Sequence, residues 1–392
     1  MVTALSTTQN APEINQKQRI QSVDFLRGIV MVLMAIDHVR VYSGIPAGGQ
    51  TIPVFFTRWI THFCVPAFVF FAGTSAFLYG QKINDRRSLS VYLFKRGMLL
   101  VILELTLLRF SWTFNFNYSG FMLAGVIWML GWCMVLLSAC IWLSPIVNEI
   151  IGLMIIIFQQ GFYFIPALLP QQWQNPFAWF WAFIYPAGQE GHAGIAILYV
   201  LVPWIGVMML GYSFGMILTI EPAKRKRLCL WIGSIAIAVF LIAAIVMYLL
   251  NSGTDKRPVL FQLLNQQKYP PSQLYLLMTL GPLILLMPFA EQVKGKIADM
   301  FLMFGRVPLF YYLLHIPLIH LLALGINYLQ VGAFHQDWYG HAPFTEIPAE
   351  HRWGLPLLYL VFIIAEVLLY FCCRAYAKYK GGHSEIKWLK YF

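Results

Sequence analysis

The sequence predicts an all-α, polytopic integral membrane protein of about ten transmembrane helices with both termini cytoplasmic. Three observations carry that expectation. Hydrophobic residues make up 59% of the 392 and charged residues 11%, with a mean hydropathy of +0.68, whereas about a quarter of a soluble domain is charged. Windows of about 19 residues find apolar segments near 22–43, 55–79, 92–112, 120–143, 146–167, 193–219, 227–250, 272–291, 299–327 and 354–376. With the N-terminus inside, the outer side holds only Arg40, Arg58, Arg109, Lys256, Arg257, Lys268 and Arg352 of the 27 Lys and Arg residues, the asymmetry of the positive-inside rule. The chain therefore divides into a polar cytoplasmic tail (1–20), a single ten-helix membrane domain (21–376) and a basic cytoplasmic tail (377–392).

The first twenty residues are polar, so no cleavable signal peptide is expected before the first span. That span, SVDFLRGIVMVLMAIDHVRVYSG, carries Asp24 and Arg27 near one end and Asp37, His38 and Arg40 near the other. Charges at membrane depth are costly unless they face protein or water, so the helix reads as the wall of a buried site. Turn chemistry marks the later breaks: GIPAGG at 44–49, QKINDRR at 81–87, LSPIV at 143–147, a Pro- and Trp-rich run at 168–191, EPAKRKR at 221–227 and NSGTDKRP at 251–258. Outer-loop aromatics, Trp112 among them, fit an interfacial belt. The six cysteines lie in or beside apolar segments and share no metal-ligand spacing with histidines. No metal is expected, although His335, Asp337 and His341 lie close together in an outer loop. The net charge of +11 follows from residues flanking membrane spans, and no basic stripe points to nucleic acid.

Arg27 and His38 are eleven residues apart, which returns to within about 20° of one helical face and separates them by about 16 Å. One face thus offers a fixed cation toward the cytoplasm and an imidazole, whose ordinary pKa of about 6.5 suits proton transfer, toward the outside. Asp37 is a candidate to hold the His38 ring. In the ninth segment Arg306 and His320 fall within about 40° of one face, a second Arg-to-His pairing, and His315 lies between them. Glu104 and Glu366, at mid-membrane depth, are expected to be neutral or to serve as counter-ions to buried arginines.

The opening RIQSVDFLRGIVMVLMAIDHVRVY, with PAFVFFAGTSAFLYG at 66–80, KYPPSQLYLLMTLGP at 268–282 and FGRVPLFYYLLHIPLIH at 304–320, resembles the bacterial DUF1624 proteins. These are related to the catalytic domain of heparan-alpha-glucosaminide N-acetyltransferase, and Arg27 and His38 also match the Arg-X10-His pattern of the broader membrane acyltransferases. The resemblance implies transfer of an acetyl or other acyl group from cytoplasmic acetyl-CoA (acyl-CoA), as donor substrate, to an amine or hydroxyl of an extracytoplasmic saccharide. It also implies glycan modification at a bacterial inner (plasma) membrane. His38 is the first candidate for catalysis and His62 the reserve, with Asp37 and His315 beside them. Arg27, Arg306 and His320 are candidates for the donor. Intramembrane Asp, Glu, Arg and His with proline-broken helices also describe an ion-coupled transporter or lipid-linked glycan flippase; no strong inverted repeat, the mark of many transporters, is evident. Neither reading fixes the acceptor or the oligomeric state.

Overall fold

The computed structural model describes residues 20–46, 51–186, 194–250, 257–383 and 385–391. Most of the expected N-terminal tail (1–19) lies outside the described residues, as do parts of the breaks (47–50, 187–193 and 251–256). In chain order, α1 (Gln21–Tyr42) is followed by α2 (Ile52–Trp59), which continues through a 3-10 turn (Ile60–Phe63) into α3 (Cys64–Ile83). Asn84 then adopts a left-handed conformation with φ of 50°, and the Asp85 carboxylate accepts from the N–H groups of Arg87 and Ser88. The turn expected at QKINDRR therefore ends one helix with an αL cap and begins the next with an aspartate cap.

α4 (Arg86–Leu103) passes through a π-helical turn (Glu104–Leu108) into α5 (Arg109–Thr113). Next come β1 (Met122–Ala124), α6 (Val126–Cys140), α7 (Pro145–Ile157), a 3-10 run (Gln159–Leu168) and α8 (Gln171–Trp181). β2 (Ile195–Ile197) leads to α9 (Trp204–Thr219), then α10 (Pro222–Leu250), α11 (Val259–Leu264) and α12 (Gln273–Ala290). α13 (Lys296–Arg306), α14 (Pro308–Val331) and α15 (Leu355–Gly382) complete the helices longer than a few residues.

Five stretches among the described residues are long and apolar enough to cross a membrane: 52–83, α10, α12, α14 and α15. α7 and the 3-10 run after it, bent by 74°, would make a sixth. Every expected segment contains a helix, but those of 22–43 and 92–112 are not among these stretches, and four others depart from one unbroken helix. The expected helix over 146–167 is that bent pair. The expected helices over 120–143 and 193–219 begin instead as β1 and β2, which pair in parallel with Met122 opposite Ile195 and Ala124 opposite Ile197. Only then do they turn into the short helices α6 and α9. Backbone that is not helical at membrane depth must be satisfied within the protein, and here the two irregular entries satisfy each other.

The fourth departure is the ninth segment, which breaks at Val307 (φ −127°, ψ 48°). Val307 precedes Pro308, whose ring disfavours helical geometry in the residue before it. Arg306 therefore ends α13 and is exposed, while His315 and His320 belong to α14. The expected Arg306–His320 face does not exist, because the two residues are on different helices.

α1 contacts α3, α12, α13, α14 and α15. Its closest crossing is with α13: a Cβ on Gly28 would collide with the Phe301 carbonyl, and one on Gly305 with the Asp24 carbonyl. Only glycine at both places lets the two backbones meet, as small residues do at membrane helix crossings.

Among the described residues, neither the buried Glu104 nor the half-buried Glu366 meets a cation, contrary to the counter-ion expectation. Glu366 accepts the Tyr311 hydroxyl. Glu104 Oε2 accepts the N–H groups of Ile127 and Trp128 at 3.0 and 3.2 Å, closing the otherwise open N-terminus of α6. Glu104→Leu should strand both donors and lower the melting temperature markedly, at a cost of about 1–3 kcal/mol per group. Glu104→Gln keeps an acceptor oxygen and should fall between. Equal melting curves for wild type and Glu104→Leu would show that another group caps α6.

Candidate active site

Arg27 and His38 lie on one face of α1, as their spacing requires. Near the start of the helix, the partners of Arg27 include Asp24 Oδ1 at 3.3 Å, the Gly305 carbonyl at 3.3 Å, the Phe71 carbonyl at 3.5 Å and Ser75 Oγ at 2.6 Å. The intrahelical Asp24–Arg27 pair is thus one part of a wider bracket joining α1, α3 and α13. Arg27 also lines a cavity of about 230 Å³ between α1, α3, α4, α6 and α14. Met31, one turn further along α1, is on the same wall, with Leu130 and Tyr312 among the apolar and aromatic residues opposite.

At the other end of α1, His38 Nδ1 lies 2.6 Å from His315 Nε2 on α14. The rings stack with centroids 4.8 Å apart, and the edge of Trp112 closes another side at 5.0 Å. The tautomers follow from the next bond in the chain. His315 Nδ1 is 2.7 Å from the Tyr312 carbonyl, which can only accept, so His315 carries its proton on Nδ1 and presents a bare Nε2. His38 must then donate from Nδ1, and its own Nε2 keeps a free lone pair. His315 is fully buried, whereas His38 is only half-buried. The arrangement can take a proton at His38 Nε2 and share the resulting charge with His315.

The remaining candidates separate from this pair. Asp37 does not hold the His38 ring; its Oδ1 accepts from Arg40 Nε at 2.9 Å, and Arg40 continues to the Ile45 carbonyl. His62 is buried, and neither of its ring nitrogens has a hydrogen-bond partner among the described residues. Its ring faces Tyr275 at 5.6 Å, whose hydroxyl bonds to the His62 carbonyl. His320 stacks on Phe114 at 3.9 Å, beside Tyr42 and Tyr339, with Nδ1 3.2 Å from the Ser111 carbonyl. Neither His320 nor Arg306 lines the cavity. After α14, His335 faces Asp337 and His341 faces Glu346, and no group of three or more possible metal ligands is found among the described residues.

Two participants were not singled out from the sequence. Trp112, grouped with the interfacial belt, is 5% exposed, and its carbonyl accepts the Tyr42 hydroxyl. Arg96, one of the Lys and Arg residues that the asymmetry places on the inner side, lines the cavity with Arg27. Its position inside the third apolar segment, rather than in the loop before it, was the available signal.

Residues 19–253, well over half of the 392, match the family model described as heparan-alpha-glucosaminide N-acetyltransferase, catalytic. Arg27, His38, His62 and Arg96 fall inside the match, and His315 falls outside it. No curated protein matches the chain. By this match, which covers more than half of its length, the chain belongs to the heparan-alpha-glucosaminide N-acetyltransferase catalytic-domain family.

Proposed function

We propose that this protein is a transmembrane acetyltransferase that moves an acetyl group from cytoplasmic acetyl-CoA to an amine or hydroxyl of a saccharide on the far side of the membrane. The observation that carries the reading is the His38–His315 pair, with its fixed tautomers, on the same face of α1 as a cation that lines a cavity. Family membership supports acetyl transfer, and the geometry supports a division of labour along one helix.

In this reading the cavity receives the donor from its Arg27 end, and the pantetheine arm extends along α1 toward His38. Met31, the last α1 residue on the cavity wall, is seven residues from His38, about 10 Å along the axis. As the acceptor lone pair attacks the thioester carbonyl, His38 Nε2 takes the acceptor proton. The C–S bond then breaks, and the departing thiolate recovers that proton from the imidazolium. The His38 Nδ1–H···His315 Nε2 bond strengthens while His38 is charged, which is when stabilisation lowers the barrier.

Purified protein incubated with labelled acetyl-CoA and amino-sugar or hydroxyl-bearing acceptors should release CoA and label the acceptor. Intact acetyl-CoA with every acceptor would favour the transport reading instead.

The reading also assigns ten crossings with both ends inside, counting α1, the α4–α5 pair and the short or broken helices, and the basic-residue asymmetry supports it. Reporter fusions after Lys82, Lys226 and Lys380 should report the cytoplasm, and fusions near Asn117 and Gln336 the outer side. An inverted pattern would put His38 on the donor's side and defeat the mechanism.

A further inference from the structure

The cavity contains an unused charge. Arg27 and Arg96 both line it, and no carboxylate does among the described residues. Arg27 has its own bracket, but among the described residues the Arg96 guanidinium has one hydrogen bond: its Nη1 donates to the Tyr92 hydroxyl at 2.8 Å. Its Nε–H is buried without a hydrogen-bond partner among the described residues. Tyr92 is itself held between two rings, Tyr79 at 4.6 Å and Tyr391 of the C-terminal turn at 5.4 Å. The hydroxyl that steadies Arg96 is therefore fixed from two sides.

A buried guanidinium N–H left unsatisfied is unfavourable, and with Arg27 paired to Asp24 the Arg96 guanidinium adds a positive charge to a space that no carboxylate lines among the described residues. An anion entering the cavity would be drawn to that charge. Guanidinium forks match phosphate oxygens in geometry and charge, whereas the apolar remainder of the cavity suits an extended uncharged chain.

We propose that Arg96, with Arg27 as a second positive charge on the same lining, forms a phosphate clamp in this cavity, which holds the phosphates of the nucleotide-linked thioester donor while its uncharged arm occupies the apolar part. This inference rests on the donor reading above and adds to it the residue that selects a phosphorylated donor. Arg96 acts in binding and takes no part in the proton step at His38.

The test uses the full-length protein in detergent, with CoA and inorganic pyrophosphate as calorimetric probes and acetyl-CoA or S-acetylpantetheine as donor. Arg96→Gln should weaken CoA and pyrophosphate binding by roughly ten- to a hundredfold. It should raise the KM for acetyl-CoA with little change in kcat, and leave transfer from S-acetylpantetheine, which has no phosphate, as in wild type. Arg96→Lys, which keeps the charge and loses the fork, should recover part of the CoA affinity and supplies the answer should Arg96→Gln fail to fold. Wild-type CoA affinity in either folded variant would overturn the clamp and leave the acetyltransferase reading intact. Pyrophosphate binding that depends on Arg96, in a protein that transfers no acetyl group, would uphold the anion site and overturn the donor reading. Absence of binding to both probes in wild type would overturn both.

Discussion

His38→Asn should leave a folded protein that still binds acetyl-CoA, with acetyl transfer reduced by on the order of a hundred- to ten-thousand-fold, the usual cost of losing a general base. Asparagine is close to histidine in size, and one of its amide N–H groups can still donate to His315 Nε2, so the contact between α1 and α14 survives the change. What disappears is the lone pair of His38 Nε2, because an amide is not a base at neutral pH. The loss should fall on kcat, with the KM for acetyl-CoA little altered, since the cavity bordered by Arg27 is untouched. Near-normal turnover in His38→Asn, with collapse in His62→Asn, would move the chemistry to the buried histidine below Tyr275.

Which parts of this site could be read from the sequence depends on how local each feature is. The Arg27–His38 face follows from helical periodicity within one uninterrupted segment, and the structure keeps that segment helical from Gln21 to Tyr42. The match of His38 with His315 could not be read, because it depends on how α14 lies against α1, a tertiary fact separated by 277 positions in the chain. His315 could be named but not partnered.

The break at Val307 was legible in the Val-Pro pair, yet the apolar run continues through it, and hydropathy alone merges two helices into one. Likewise, MLA at 122–124 and IAI at 195–197 are as apolar as the helices they precede. Three-residue strands carry no periodicity of their own, so only their pairing across the fold distinguishes them. Glu104 shows the opposite case. Its depth correctly marked a buried carboxylate needing partners, but the partners are backbone N–H groups of α6, which composition cannot reveal.

His315→Leu should lower kcat by roughly ten- to a hundredfold without altering the KM for acetyl-CoA. Leucine fills similar space but removes the acceptor at 2.6 Å from His38 Nδ1. The His38 ring could then turn or exchange tautomers, and the positive charge it gains during transfer would lose its nearest acceptor. A hydrogen bond to a charged group contributes about 1.5–3 kcal/mol, which corresponds to the stated range in rate. His315→Gln offers a carbonyl oxygen toward His38 and an amide N–H toward the Tyr312 carbonyl, so it should recover part of the loss. That recovery separates orientation from packing, because leucine and glutamine both occupy the space between α1 and α14 but only glutamine can accept from His38. If the folded fraction of His315→Leu turns over like wild type and only its melting temperature falls, His315 serves to pack α14, and His38 works without it.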